Sequence, residues 1–137
     1  MQNDPTDYAD RPVPRSMVGS GRARQREEHM ADKNRMQQIQ DMLAGDPTDV
    51  TLRYMLAMEY VSQGDDALAV KCFQDLMAAA PDYVPGYMQA GKALVRLGKD
   101  TEARSTFERG IAVAQERQDF HARDEMQGML SELVSGE

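Results

Sequence analysis

The chain has little of several residue types on which common folds and functional sites depend. It contains no tryptophan, one cysteine and two histidines, and aromatic residues make up only 6% of it. A single cysteine cannot form an intramolecular disulfide, so we expect a reducing compartment, the cytoplasm. No apolar run approaches the roughly 20 residues that cross a bilayer, so we expect no membrane partner. The stretch from Met1 to Pro5 also lacks the apolar core of a signal peptide.

The abundant residue types favour helices. The 137 residues include 11 methionines and are rich in alanine, leucine, glutamine and charged residues, whereas β-branched and aromatic runs are rare. This composition is typical of an all-α protein, and the length suits one domain with a modest core.

Charge is distributed unevenly along the chain. Residues 1–29 contain five arginines and five acidic residues, whereas residues 30–137 contain 18 acidic and 11 basic residues and carry the whole net charge of −7. An acidic body repels phosphate, which argues against a nucleic-acid partner. The basic cluster Arg22–Arg26 is followed at once by Glu27 and Glu28 and has no interleaved aromatic residue. We therefore interpret it as part of a solvated segment.

The first 28 residues differ from the rest of the chain. They contain three prolines and two glycines among polar residues and have very few apolar residues. Such a segment buries too little surface to offset the entropy of ordering, so we predict a disordered N-terminal arm over residues 1–28. A folded domain over residues 29–137 follows, starting with a helix at about residues 30–44. The apolar face of that helix contains Met36, Ile39 and Leu43.

A pattern with a period of 34 residues occupies the centre of the chain. Ala69 and Phe73 recur as Ala103 and Phe107, the turn glycine Gly64 recurs as Gly98, and the small Ala57 recurs as Gly91. Pro81 stands near the end of the first copy. The pattern predicts that each copy forms two helices with a glycine-containing turn between them.

This pattern, over residues 50–83 and 84–117, resembles the tetratricopeptide repeat (TPR). The resemblance implies an all-α, right-handed α-solenoid of two helix hairpins. The helix at residues 30–44 would be an N-terminal half-repeat. A last helix, at about residues 119–134, would be a C-terminal cap with one apolar and one polar face.

The resemblance also implies a function, because TPR solenoids generally bind other proteins. The first helix of each hairpin lines the concave side, so its exposed positions are the candidate contacts for a peptide or partner helix. The predicted groove residues from the two hairpins are Tyr54, Met58, Val61, Met88, Gln89, Lys92, Val95 and Arg96. Arg123 and Met126 of the cap are possible additions. Methionine and tyrosine beside Lys92 and Arg96 favour a partner with apolar anchors and an acidic group.

Two known TPR subgroups provide a test of this interpretation. The two-carboxylate clamp of chaperone-docking domains requires lysine and asparagine at the positions of Tyr54 and Met58, so the clamp is not supported. Small acidic TPR chaperones of bacterial secretion systems agree better in size, acidity and groove chemistry, although they normally have three repeats.

Other interpretations of the same residues remain open. Met58, Met88 and Val95 could belong to the core between repeats, with Lys92 and Arg96 at a solvated edge. The chain could also be a structural subunit that self-associates or assembles with other proteins and has no separate ligand.

The sequence gives little support for an enzyme. His121 with Asp124 or Glu125 provides too few ligands for a metal site, and Cys72 has no basic neighbour placed to activate its thiol. No phosphate-binding glycine loop, nucleophile elbow or zinc-protease motif is present. We therefore expect no catalytic residue, no metal and no cofactor.

Overall fold

The described part of the chain consists of helices joined by short turns. The computed structural model describes the backbone of residues 12–136, with the side chains of residues 24, 26, 27, 30 and 33–136. This part contains six helices and no strand: α1 (Pro12–Gly45), α2 (Val50–Ser62), α3 (Asp66–Ala79), α4 (Val84–Arg96), α5 (Asp100–Glu116) and α6 (Phe120–Ser135).

The start of α1 differs from the sequence prediction. The helix already begins at Pro12, so residues 12–28, which were predicted to be disordered, are helical in the structure. The physical reason lies in local propensity. Pro12 and Pro14 suit a first helical turn, and the run from Arg22 to Glu28 consists of strong helix formers. Residues 1–11 of the predicted arm lie outside the described residues.

The chain divides into two compact units, with the boundary after Gln37. Most of α1 belongs to the first unit. The second unit contains the end of α1, where Ile39 is buried, together with α2 to α6. The candidate site lies wholly in this second unit.

Helices of the second unit pack in chain order. Helix α2 packs on α3, α3 on α4, α4 on α5 and α5 on α6, and α4 also contacts α6. Each helix therefore lies beside its chain neighbour, which is the arrangement of an all-α solenoid. Helix α4 contacts three others and forms the centre of the unit.

The predicted glycine breaks end α2 and α4 in the same way. Gly64 has φ 79° and Gly98 has φ 77°, a left-handed conformation that glycine adopts without a steric cost. The residue after each glycine donates its amide to a carbonyl of the last turn, from Asp65 to Tyr60 and from Lys99 to Leu94, at 2.9 Å in both cases. These are Schellman motifs, and they reverse the chain at equivalent points of the two hairpins.

Helix α5 ends differently because its sequence departs from the repeat. Gln115 stands where the first repeat has Pro81, so α5 continues to Glu116 and has 17 residues, against 14 in α3. The same Schellman geometry follows, with the Asp119 amide 2.8 Å from the Ala114 carbonyl. Here, however, the left-handed residue is Gln118, with φ 61°.

Small residues set the distance between the central helices. A Cβ atom added to Gly91 would lie 2.3 Å from a ring carbon of Phe107, and one added to Gly110 would lie 2.6 Å from Met126 Sδ. Phe107 and Met126 are completely buried at these contacts. The glycines therefore allow α4, α5 and α6 to approach closely.

Candidate functional site

A cavity of about 430 Å³ lies between α4, α5 and α6. Seven residues line it, three from α4, one from α5 and three from α6: Lys92, Val95, Arg96, Phe107, Met129, Glu132 and Leu133. Helix α4 therefore forms one wall and α6 the other. A volume of this size is in the range of clefts that bind ligands.

The floor and the inner walls of the cavity are apolar. Phe107 is fully buried, and its ring takes the place that a side chain at position 91 would otherwise occupy. Met129 and Leu133 are half-buried against the core, whereas Val95 keeps 39% of its surface exposed. The cavity thus exposes aliphatic and thioether groups in a recess, where an apolar side chain could displace water.

Charged side chains surround this apolar surface, but one of them is already paired. The Arg96 guanidinium donates to Asp66 of α3, with Nη2 2.9 Å from Oδ1 and Nε 3.1 Å from both carboxylate oxygens. The Asp66 side chain is only 16% exposed, so this two-pronged contact is partly shielded from water. By contrast, neither Lys92 nor Glu132 forms an ion pair with any described residue.

The structure brings only part of the predicted groove together at this cavity. Lys92, Val95 and Arg96 line it. The remaining predicted residues of α2 and α4 are half-buried and do not line it: Tyr54, Met58, Val61, Met88 and Gln89. The four apolar members of that set pack against the hydrophobic core, as the alternative interpretation allowed for Met58 and Met88.

Tyr54 illustrates this packing. Its ring meets Tyr83 edge-on at 5.5 Å between centroids and lies 6.1 Å from Phe73. Burial raises the pKa of the Tyr54 hydroxyl, the nearby Tyr83 raises it further, and a hydrogen bond with the Gln89 side chain opposes the shift. Tyr54 therefore connects α2 with α3 and α4 and also keeps part of its surface accessible.

The two predicted contributions of α6 lie elsewhere. Arg123 stacks over Phe120 at 4.8 Å and binds Asp124 and, on α5, Gln115. Met126 is fully buried against Gly110. Because neither lines the cavity, the structure places them outside this site.

Four cavity residues were not predicted as groove residues: Phe107, Met129, Glu132 and Leu133. Phe107 is a recurring position of the repeat pattern, and the other three lie in the last helix, for which the sequence predicts only one apolar and one polar face. The order of the helices in the sequence could have indicated that α6 contributes to the groove. Since α6 follows two hairpins, it takes the place of the first helix of a further hairpin, and its residues face α4 across the groove.

His121 and Cys72, the two residues considered for catalysis in the sequence, do not line the cavity. The described residues contain no cluster of three or more histidine, cysteine, aspartate or glutamate side chains that could hold a metal ion. His121 is largely exposed and lies 3.3 Å from Glu125. Burial raises the pKa of the half-buried Cys72 thiol, and nearby Asp75 raises it further, while Lys71 opposes the shift. The reactive thiolate is thereby disfavoured.

No helix in the described part of the chain has the length and apolar character needed to cross a membrane.

The fold and the spacing of its glycines, alanines and phenylalanines define a helical-repeat protein. The tetratricopeptide-repeat family matches residues 50–83 and 84–117, the two segments that form the hairpins α2–α3 and α4–α5. A TPR domain protein from Salinibacter ruber, solved in solution, is 33% identical. The similarity covers 67% of this chain and 93% of that one, with a TM-score of 0.64. The chain therefore belongs to the tetratricopeptide-repeat family.

More distant solved structures share the fold. The Yersinia enterocolitica type III secretion chaperone SycD, solved with a peptide of the translocator YopD, is 15% identical. The match covers 85% of this chain and 91% of that one, with a TM-score of 0.71. The TPR2B domain of yeast Sti1, in complex with pHsp70, is 11% identical and has a TM-score of 0.72, with 91% and 100% covered. At these identities the similarity shows the fold alone. Among curated proteins, no similar sequence was found.

Proposed function

We propose that this chain is a protein-interaction module, an adaptor or chaperone-like protein, that binds a peptide or partner helix at the cavity between α4 and α6. The observation that carries the proposal is the cavity itself, an apolar recess of about 430 Å³ between two helices of a TPR solenoid. In this family the corresponding helices line the concave side.

The chemistry of the cavity suits a peptide with apolar anchors. Val95, Met129 and Leu133 offer aliphatic and thioether surface around the ring of Phe107. Methionine is unbranched and adapts its shape, so such a recess accepts different apolar side chains. The peptide complexes of SycD and Sti1, proteins that share the fold, support this use of the solenoid.

The surroundings of the cavity add an electrostatic preference. Lys92 lies on the α4 wall with its charge unpaired among the described residues, so an acidic group on the partner would be favoured there. The negative charge of residues 30–137 disfavours nucleic acid. We further propose a cytoplasmic location, consistent with the single cysteine. The proposal involves no catalysis.

The test compares two arginine substitutions, one at a residue that lines the cavity and one at a similarly exposed residue that does not. Val95 lines it and is 39% exposed, whereas Leu97, two residues later, is 38% exposed and does not line it. A displayed library of random octapeptides is selected on the immobilised full chain. Enriched peptides are then titrated by fluorescence polarisation against the wild type, Val95→Arg and Leu97→Arg, after circular dichroism has confirmed equal helicity.

We expect Val95→Arg to weaken peptide binding at least about tenfold, because the apolar anchor of a bound peptide would remove water from the new charge without pairing it. Leu97→Arg should bind as the wild type does. Equal binding by both variants, or no enriched peptide, would contradict the proposal. If the chain instead self-associates in analytical ultracentrifugation, and Val95→Arg leaves that association unchanged, the structural-subunit alternative is favoured.

A further inference from the structure

The cavity between α4 and α6 has charged residues on both of its walls. Lys92 and Arg96 lie on the α4 wall, and Glu132 lies on the α6 wall. The apolar floor, Phe107, lies on α5, between the two walls. A ligand that fills the recess therefore meets a cationic wall on one side and an anionic wall on the other.

The two cations on the α4 wall are not equivalent. Arg96 is held by Asp66 through three contacts of 2.9–3.1 Å, and its charge is balanced within the protein. A ligand carboxylate would have to compete with this partly shielded pair. Lys92 forms no ion pair with a described residue, and it is half-buried, so its charge is only partly screened by water.

Glu132 is in the corresponding position on the opposite wall. It also forms no ion pair with a described residue, Lys92 on the facing wall included. Within the described part of the chain, one positive and one negative charge are therefore unpaired at the two sides of an apolar recess. Complementary charges on a partner would pair with both and fix its orientation.

Resting on the function proposed above, we propose that the cavity recognises a peptide of opposed charges. A large apolar side chain fills the recess, an acidic residue on one side of it pairs with Lys92, and a basic residue on the other side pairs with Glu132. Arg96 connects α4 to α3 through its ion pair with Asp66, so its charge is not available to pair with the ligand. The same two charges reject a peptide of reversed polarity, because like charges would then face each other.

The experiment is a charge-swap cycle on the peptides enriched by the octapeptide library. Wild type, Lys92→Glu, Glu132→Lys and the double variant are titrated with an enriched peptide and with a version whose acidic and basic residues are exchanged. Lys71→Glu is the matched control, because Lys71 is exposed on α3, does not line the cavity, and undergoes the same change of charge.

We expect each single charge reversal to weaken the enriched peptide by about fivefold, as for partly exposed ion pairs. The double variant should prefer the exchanged peptide over the original one, and Lys71→Glu should bind as the wild type does. If peptides bind and Val95→Arg abolishes binding, but the charge swap changes no preference, this inference fails while the proposed function stands. If no peptide binds the wild type, the proposed function fails as well.

Discussion

The close approach of Gly91 to Phe107 supports the most direct test of the packing on which the cavity depends. In Gly91→Ala, the new Cβ atom would lie 2.3, 2.6 and 2.7 Å from three ring carbons of Phe107. Ordinary contact begins at about 3.4 Å, so the ring would have to move by roughly 1 Å. Phe107 is fully buried, so a shift of its ring would disturb the packing of the core side chains around it.

Two opposing effects determine the size of the change. Alanine stabilises a helix interior relative to glycine by about 1 kcal/mol, whereas overpacking a dense core costs about 1–3 kcal/mol. Because three ring atoms would be crowded at once, we expect the cost to lie near the upper end. The free energy of unfolding of Gly91→Ala should then fall by about 2 kcal/mol.

Gly128 provides the matched control. It lies within α6, and a Cβ atom added there would meet nothing within 4 Å. Gly128→Ala should therefore show only the propensity gain, a rise of about 1 kcal/mol. Urea unfolding of the wild type and both variants, followed by circular dichroism, gives the comparison. A Gly91→Ala variant as stable as Gly128→Ala would refute the argument that Gly91 is required for the contact with Phe107.

Two further predictions concern the turn after α5 and the Tyr54 cluster. Gln118→Gly should raise the free energy of unfolding by about 1 kcal/mol in the same urea assay, because Gln118 has φ 61° in a turn where the preceding hairpin has Gly98. Gly98→Ala should lower the free energy of unfolding for the same reason. No gain in Gln118→Gly would contradict the strain at this position. For Tyr54, burial raises the pKa above the ordinary value of 10.0, so the folded state resists ionisation while the unfolded state does not. The contribution of Tyr54 is therefore fully present below pH 10.0 and is lost as pH rises through the folded-state pKa. Urea midpoints are measured below and above pH 10.0 for the wild type and for Tyr54→Phe. We expect the midpoint to fall less for Tyr54→Phe, because phenylalanine does not ionise. An equal fall in both proteins would contradict the role of Tyr54 in this pH dependence.

Much of the fold could be predicted because its signals are local. Gly64 and Gly98 end helices through their own backbone freedom, and Asp49 and Asp65 cap helices through bonds to amides three residues away. The period of 34 residues places Phe73 and Phe107 at equivalent core positions, both fully buried. The start of α1 lies in a segment with few apolar residues, where the helix propensity of residues 22–28 favours a helix without a buried face.

The candidate site could be predicted only in part. The helical pattern groups Lys92, Val95 and Arg96 because their spacing is a property of a single helix, and all three line the cavity. It could not show that Arg96 is bound to Asp66, which is 30 residues away in the chain. Nor could it show that Glu132 and Met129 complete the opposite wall.

The sequence by itself determined the repeat, the glycine turns that end two of its helices and the family, because each depends on residues close together in the chain or on their regular spacing. The tertiary structure decided which side chains form the cavity and which charges remain unpaired. Two features were decisive. Residue 115 is glutamine and not proline, so α5 continues to Glu116, and α6 packs beside α4. Ion pairing and cavity shape depend on distances between helices, and only the packed chain fixes those distances.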